Sequence, residues 1–431
     1  MRWAAPAALL MVGCTGCATG FTGESVQVSH SSAQVVGGFV SDTGGEVEHW
    51  VEYGPTRAYG FETDHEISDG VAPNDPHETG AGLYGLERAT RYHYRFCAQD
   101  GAQQGGPGCG EDGTFKTQSW ACGETVTTSV RFTGNVQCLE FNTPGIVVGA
   151  SGIVIDMNGF ELRGGPFVAD SKPGIDNRGG FSDVTIRDGF ITGVPPRGVF
   201  APGIRLDGAS RNRILNVRIF SASNGIDIRG GEDNQVRHAD LLTVSGGVTA
   251  EDTNGLIVAD STTPANTDGI RLANASGGRV VRNEVVVPHR TDDRVHFGIY
   301  VAGNGNVIKE NRVGGWVGTN IMLASGANNK LLENEVFDAI GPINQPAQLA
   351  HFSDGIYVGA FTAGIVVRGN TSTGNLLDGI QVEGVKTRIA DNTANDNGDL
   401  GIEAVAGVTD GGGNSASGNR NPLQCSNVFC Q

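Results

Sequence analysis

Basic residues are scarce in this chain. Lysine and arginine total 30 against 47 aspartates and glutamates, a formal net charge of −17 over 431 residues. Nucleic acid needs a basic footprint, so a DNA or RNA partner is excluded. Beyond the first dozen residues no apolar run is long enough to cross a bilayer as a helix. Amphipathic windows of helical period, which a helical repeat would need over 10–15 residues, are missing as well. No histidine sits at ligand spacing from any cysteine, which argues against a zinc site. Glycine is the excess: 67 residues, about twice the usual share of roughly 7%. Without a triplet period, that excess means many turns.

The first residues, MRWAAPAALLMVGCTGCATG, carry one arginine, a short apolar run and small residues, the pattern of a secretion signal over 1–20. Met11-Val12-Gly13-Cys14 resembles a bacterial lipobox, which implies acylation of Cys14. Cys17 and plain cleavage after Ala18 stay open as alternatives. The expected place is outside the cell or on the envelope surface, with membrane contact only through that lipid. The other six cysteines lie close two by two, and the economical pairing is Cys97–Cys109, Cys122–Cys138 and Cys425–Cys430.

Residues 24–117 alternate apolar and polar positions between turns, as antiparallel strands do. The pattern Leu86-x3-Thr90-x-Tyr92-x-Tyr94-Arg95-Phe96-x-Ala98, with Trp50-Val51-Glu52-Tyr53-Gly54 and Thr114-Phe115-Lys116-Thr117, resembles fibronectin type III domains. That resemblance implies a β-sandwich with Tyr92 as its corner tyrosine, serving as a spacer or weak binding module.

Residues 120–422 repeat. A glycine followed by Ile or Val recurs at 203, 225, 247 and 269, a period of 22. A second register runs through Asn283, Asn311, Asn334, Asn370 and Asn392. Short β-branched runs at a fixed period mean a solenoid, in which the asparagines stack at turns and satisfy backbone groups. The opening CGETVTTSVRFTGNVQC, followed by GIVVGASGIVIDMNGFELRG, resembles the cap and first coil of secreted right-handed parallel β-helix proteins of the pectate-lyase-like superfamily. The fold class is therefore all-β: a single-stranded right-handed parallel β-helix of about ten coils behind the sandwich, with residues 423–431 as a disulfide tail. A monomer is expected.

In each coil the residue after the inward Ile faces out. This predicts an outward ladder of Arg205, Asp227, Thr249, Arg271, Tyr300, Met322, Tyr357, Gln381 and Glu403. The spacing lengthens from 22 to 29 between Gly269 and Gly298, and to 57 over the two coils from Gly298 to Gly355. Insertions at the same point of nearby coils emerge along one edge. They gather His289, Arg290, Asp292, Asp293, Arg294 and His296 with Trp316, His351 and Phe352 beside Tyr300 and Tyr357.

Two family motifs are similar in part. Asn266-Thr267-Asp268-Gly269 with Asp292-Asp293 looks like the first two polygalacturonase motifs. In that family the aspartates hydrolyse a glycosidic bond across about 6.5–9.5 Å. Gly314-Gly315-Trp316 replaces the expected Gly-His-Gly, and no Arg-Ile-Lys follows. Pro288-His289 is similar to the Asp-Pro-His core of alginate epimerases, with Val287 and Arg290 in place of its acids.

Proton abstraction beside a uronate carboxyl needs a base, a neutralising cation and an acid. Tyr300 or His296 is the candidate base, and Arg271 or Arg294 the neutraliser. Calcium held by Asp292 and Asp293 is the alternative neutraliser. His289, Trp316, His351, Phe352, Tyr357 and Asp268 are candidate substrate contacts. The expected partner is an extracellular polysaccharide or cell-surface glycan, bound and cleaved or epimerised. A non-catalytic adhesive or structural solenoid is the competing class.

Overall fold

The computed structural model describes residues 17–101, 106–138, 143–165, 172–193, 200–220, 223–242, 246–264, 267–287, 295–341 and 352–431. Among these there is no α-helix. The chain divides into two compact units, Met1–Ala121 and Cys122–Gln431.

The first unit is one hydrogen-bonded set of nine strands. Its long pairings are antiparallel: Ala18–Val28 with Ser32–Ser41, Ser32–Ser41 with His77–Tyr84, and Gly45–Gly54 with Arg91–Asp100. Alternate side chains turn inward, so Val35, Val51, Leu83, Tyr94, Phe96 and Phe115 form one cluster. Phe39, Val47, Val71 and Ala98 form another. Trp50 is buried, as a core residue should be. The Tyr92 hydroxyl accepts the Glu87 backbone N–H at 3.0 Å. The Cys97–Cys109 disulfide ties two adjacent strands.

The second unit is a right-handed parallel β-helix. Three parallel sheets of 13, 15 and 6 strands run along it. In the thirteen-stranded sheet Ile204, Ile226, Val248, Ile270, Ile299, Ile321, Ile356, Ile380 and Ile402 stand in strict register, and all are fully buried. The preceding glycines are required by space: at Gly269 a Cβ would lie 2.4 Å from Val285 Cγ1.

The asparagine register is a hydrogen-bonded ladder. Asn311 Nδ2 donates to Asn334 Oδ1 at 3.0 Å, Asn334 Nδ2 to Asn370 Oδ1 at 2.9 Å, and Asn370 Nδ2 to Asn392 Oδ1 at 3.0 Å. Each Nδ2 also caps a backbone carbonyl, Ile308 O in the case of Asn334. Two further columns, Asn306–Asn329 and Asn375–Asn397–Asn419, do the same at other turns. Cys122–Cys138 joins the first strands, and Cys425–Cys430 closes the last. All three expected disulfides are present. Cys14 lies outside the described residues.

Candidate functional site

The register places the predicted ladder on the outward face of the thirteen-stranded sheet. Arg205, Asp227, Thr249, Arg271, Tyr300, Met322, Tyr357, Gln381 and Glu403 are successive partners. Tyr300 and Tyr357 stand two coils apart, about 10 Å at the usual strand spacing.

Around Tyr300 the face carries a cation on aromatics. The Arg271 guanidinium lies 4.2 Å from the centre of the Tyr300 ring, and its Nη1 is 3.1 Å from Asp268 Oδ2. Phe297 packs 5.5 Å from Tyr300 and, edge-on, 6.4 Å from Phe352. Asp268 Oδ1 accepts the Phe297 N–H of the next coil at 3.0 Å. That bond makes Asp268 a turn cap as well as a partner for the arginine. Phe297 was not anticipated. Its only sequence signal is an aromatic at the position that is Asp268 one coil before and Thr319 one coil after.

Two coils on, the face becomes acidic. The Tyr357 hydroxyl donates to Glu383 Oε2 at 2.6 Å. Burial, and then this bond, push the phenol far above its ordinary pKa. Asp354 is fully buried and its Oδ1 accepts the Asp378 N–H at 3.1 Å. Asp378 Oδ1 in turn accepts the Leu400 N–H at 2.8 Å. Burial, with the charge of Asp378 behind it, pushes Asp354 up to about 8. Burial also pushes Asp378 up to about 7, with the hydrogen-bonded Glu403 adding to the rise and the Leu400 N–H opposing it. A carboxyl that keeps its proton near neutral pH can donate it. Asp354, Asp378 and Glu383 had no role in the expected site, and Glu403 stood only in the ladder. The signal for the two aspartates was the repeated Asp-Gly-Ile at 354–356 and 378–380, which looks like turn chemistry and is that too.

The expected residues separate under the geometry. Arg271, Tyr300, Asp268 and Phe352 come together, and Tyr357 shares their face. Trp316 does not. Its ring is 0% exposed and its Nε1 donates to Val285 O at 3.1 Å, so it is a core residue and not a substrate contact. The cause is the Gly-Gly before it, since Gly315 adopts φ +79 and turns the next side chain inward. His296 is half-buried and its backbone N–H donates to Val317 O at 2.7 Å. His289, Arg290, Asp292, Asp293, Arg294 and His351 lie outside the described residues.

The fold thus defines a right-handed parallel β-helix protein with a cation-aromatic and carboxyl face. Residues 184–341 match the family described as periplasmic copper-binding protein (NosD), and residues 290–427 match the right handed beta helix region. No curated protein matches. Among solved structures, the periplasmic alginate epimerase AlgG is 13% identical with a TM-score of 0.42, covering 73% of this chain and 80% of that one. A family 28 exopolygalacturonase of Yersinia enterocolitica is 10% identical with a TM-score of 0.40, covering 96% and 98%. An alginate lyase from Paenibacillus sp. is 15% identical with a TM-score of 0.39, covering 69% and 98%. Similarity at this level sets no activity for this chain.

Copper does not fit the residues described. The one group of three ligand side chains among them is Glu52, Cys97 and Cys109, and both cysteines are spent in a disulfide.

Proposed function

We propose that the outward face from Arg271 to Glu403 binds an extracellular polysaccharide carrying uronate carboxyls and moves a proton beside that carboxyl, as a lyase or epimerase does. One observation carries this: a guanidinium seated on an aromatic ring, on a face whose Glu403 is backed by a buried carboxyl, Asp378, that holds its proton near neutral pH. Arg271 would pair with the uronate carboxylate and lower the cost of the enolate-like state. Phe297 and Tyr300 would offer a sugar ring an apolar surface. Tyr300 or His296 takes the proton in this scheme. Tyr357, hydrogen-bonded to Glu383, and the Asp378–Glu403 pair supply the donor side. Calcium, bound through Asp292 and Asp293, would act as a second neutraliser.

The same proposal gives the chain an N-terminal leader ending before Cys14, the lipid anchor, since the strand Ala18–Val28 already belongs to the folded first unit. Residues 24–117 form its fibronectin type III-like module; the Tyr92–Glu87 bond supports that assignment.

The test is incubation with alginate, polygalacturonate and glycosaminoglycans, with and without calcium. Unsaturated ends are followed by their absorbance at about 235 nm, from the C=C–COO⁻ product of proton abstraction. Deuterium uptake at C5 in heavy water reports epimerisation. The expected result is one of these signals, lost in Arg271→Ala. Binding without either signal would leave a recognition face and remove the chemistry.

A further inference from the structure

A second cleft belongs to the first unit, in a different setting. The strand Gly45–Gly54 has an interrupted neighbour on its outer side. Glu52 and Tyr53 pair with Phe61–Glu62, while Gly45 to His49 pair with Glu66–Val71. At the break Thr63 substitutes for a strand partner: its N–H donates to Val51 O at 3.0 Å and its Oγ1 accepts the Val51 N–H at 3.0 Å. An interruption of this kind bends the edge away and opens the sheet.

The opening is a cleft of about 410 Å³ between that edge and the strand His77–Tyr84, inside the roughly 300–1,000 Å³ range of small-ligand sites. Its lining includes Phe96 and Tyr53 on the inside and Tyr84, Asp64 and Glu66 towards solvent. Tyr84 is 75% exposed, and its hydroxyl lies where a Cβ on Gly82 would come within 2.5 Å. The glycine therefore lets a large aromatic ring lie along the rim at the cost of covering nothing else. No lysine or arginine lines the cleft; His49 does, and burial holds its pKa below the ordinary histidine value even with Glu66 beside it, so it brings no charge at neutral pH.

We propose that this cleft binds a neutral pyranose unit of an oligosaccharide. The aromatic side chains offer an apolar surface to the C–H face of a sugar ring. Asp64 and Glu66 are acceptors only, so they need a ligand rich in O–H donors. With no cation to offset them, they repel a uronate. A proline-rich peptide has the apolar face but not the donors. The site is independent of the face that contains Arg271, and it selects uncharged sugars where that face selects uronates.

The experiment is calorimetric titration of the full chain with cellohexaose, xylohexaose and mannohexaose, with a galacturonate hexamer and a chitosan hexamer as charge controls. At least one neutral hexasaccharide should bind. Tyr84→Ala should weaken it about tenfold, the size of one lost aromatic contact, and Asp64→Ala should weaken it severalfold. Both side chains are exposed, and near-ultraviolet circular dichroism checks that the variants fold. Arg271→Ala should leave neutral binding unchanged, so failure of the uronate face and failure of this cleft are told apart. The proposal is overturned if no neutral hexasaccharide binds, if only the chitosan hexamer does, or if binding survives both substitutions unchanged.

Discussion

The outward face of the thirteen-stranded sheet has two halves built on one register. In the first, the arginines meet aspartates within a coil or on the next one. Arg178 Nε is 2.9 Å from Asp176, and Arg205 reaches Asp207 at 2.9 Å and Asp227 at 3.2 Å. Arg229 closes on Asp227 at 3.5 Å. In the second half Arg271 keeps one carboxylate, Asp268 at 3.1 Å, and lies on the Tyr300 ring, and the face then passes through Met322 and Tyr357 to a run of carboxyls. The scaffold is the same, so the difference lies only in which residue occupies the outward position. A solenoid makes a site by leaving its surface charges incompletely neutralised among themselves.

The comparison breaks most severely if the shared scaffold is cut. Asn334→Ala leaves Asn311 Nδ2 and Ile308 O without the partner they have now. The cost should be about 3–5 kcal/mol, since several buried polar groups lose their bonds at once. Chemical denaturation of the full chain reads this, and both halves should lose stability together.

The next test separates the halves by pH. Asp354 and Asp378 hold their protons up to about 8 and about 7 in the folded chain, whereas an unfolded aspartate titrates near about 4. Their contribution is complete below the unfolded value and is lost as pH rises through the folded ones. The melting temperature should therefore fall between about pH 4 and about pH 8, and Asp354→Asn, which stays neutral, should flatten the slope. A melting curve indifferent to that substitution would contradict the assignment.

Smaller effects compare the two arginines directly. Arg271→Ala should weaken a uronate oligomer about tenfold to a hundredfold, as expected for a charge-assisted contact. Arg205→Ala should leave that affinity unchanged and cost about 1–3 kcal/mol of stability, since Asp227 is buried and would keep only Arg229. Equal effects on affinity at the two positions would erase the distinction between the halves. Smallest of all, Tyr357→Phe removes one hydroxyl bonded to Glu383 and should alter turnover severalfold without changing the fold.

The repeat was legible because its period writes the inward residue, the outward residue and the turn asparagine into the chain every coil. The ladder from Arg205 to Glu403 followed from that alternation alone. Trp316 misled because an aromatic in an inserted coil looks like a surface platform. Only the backbone at Gly315 decides that it points into the core. Asp378 was hidden for the opposite reason. Its capping role is local and visible, while its proton affinity comes from burial and from Glu403 on the next coil.

By itself, then, the amino-acid order determined the parallel β-helix, its asparagine columns, its three local disulfides and the outward row of side chains. These are periodic or near in sequence, so short-range rules suffice. The tertiary structure alone decided which members of that row meet. It set Arg271 on Tyr300 and Phe297 against Phe352, buried Trp316 and raised the proton affinity of Asp354 and Asp378. Those properties depend on distance and on exclusion from water across coils, and no single stretch of the chain contains them.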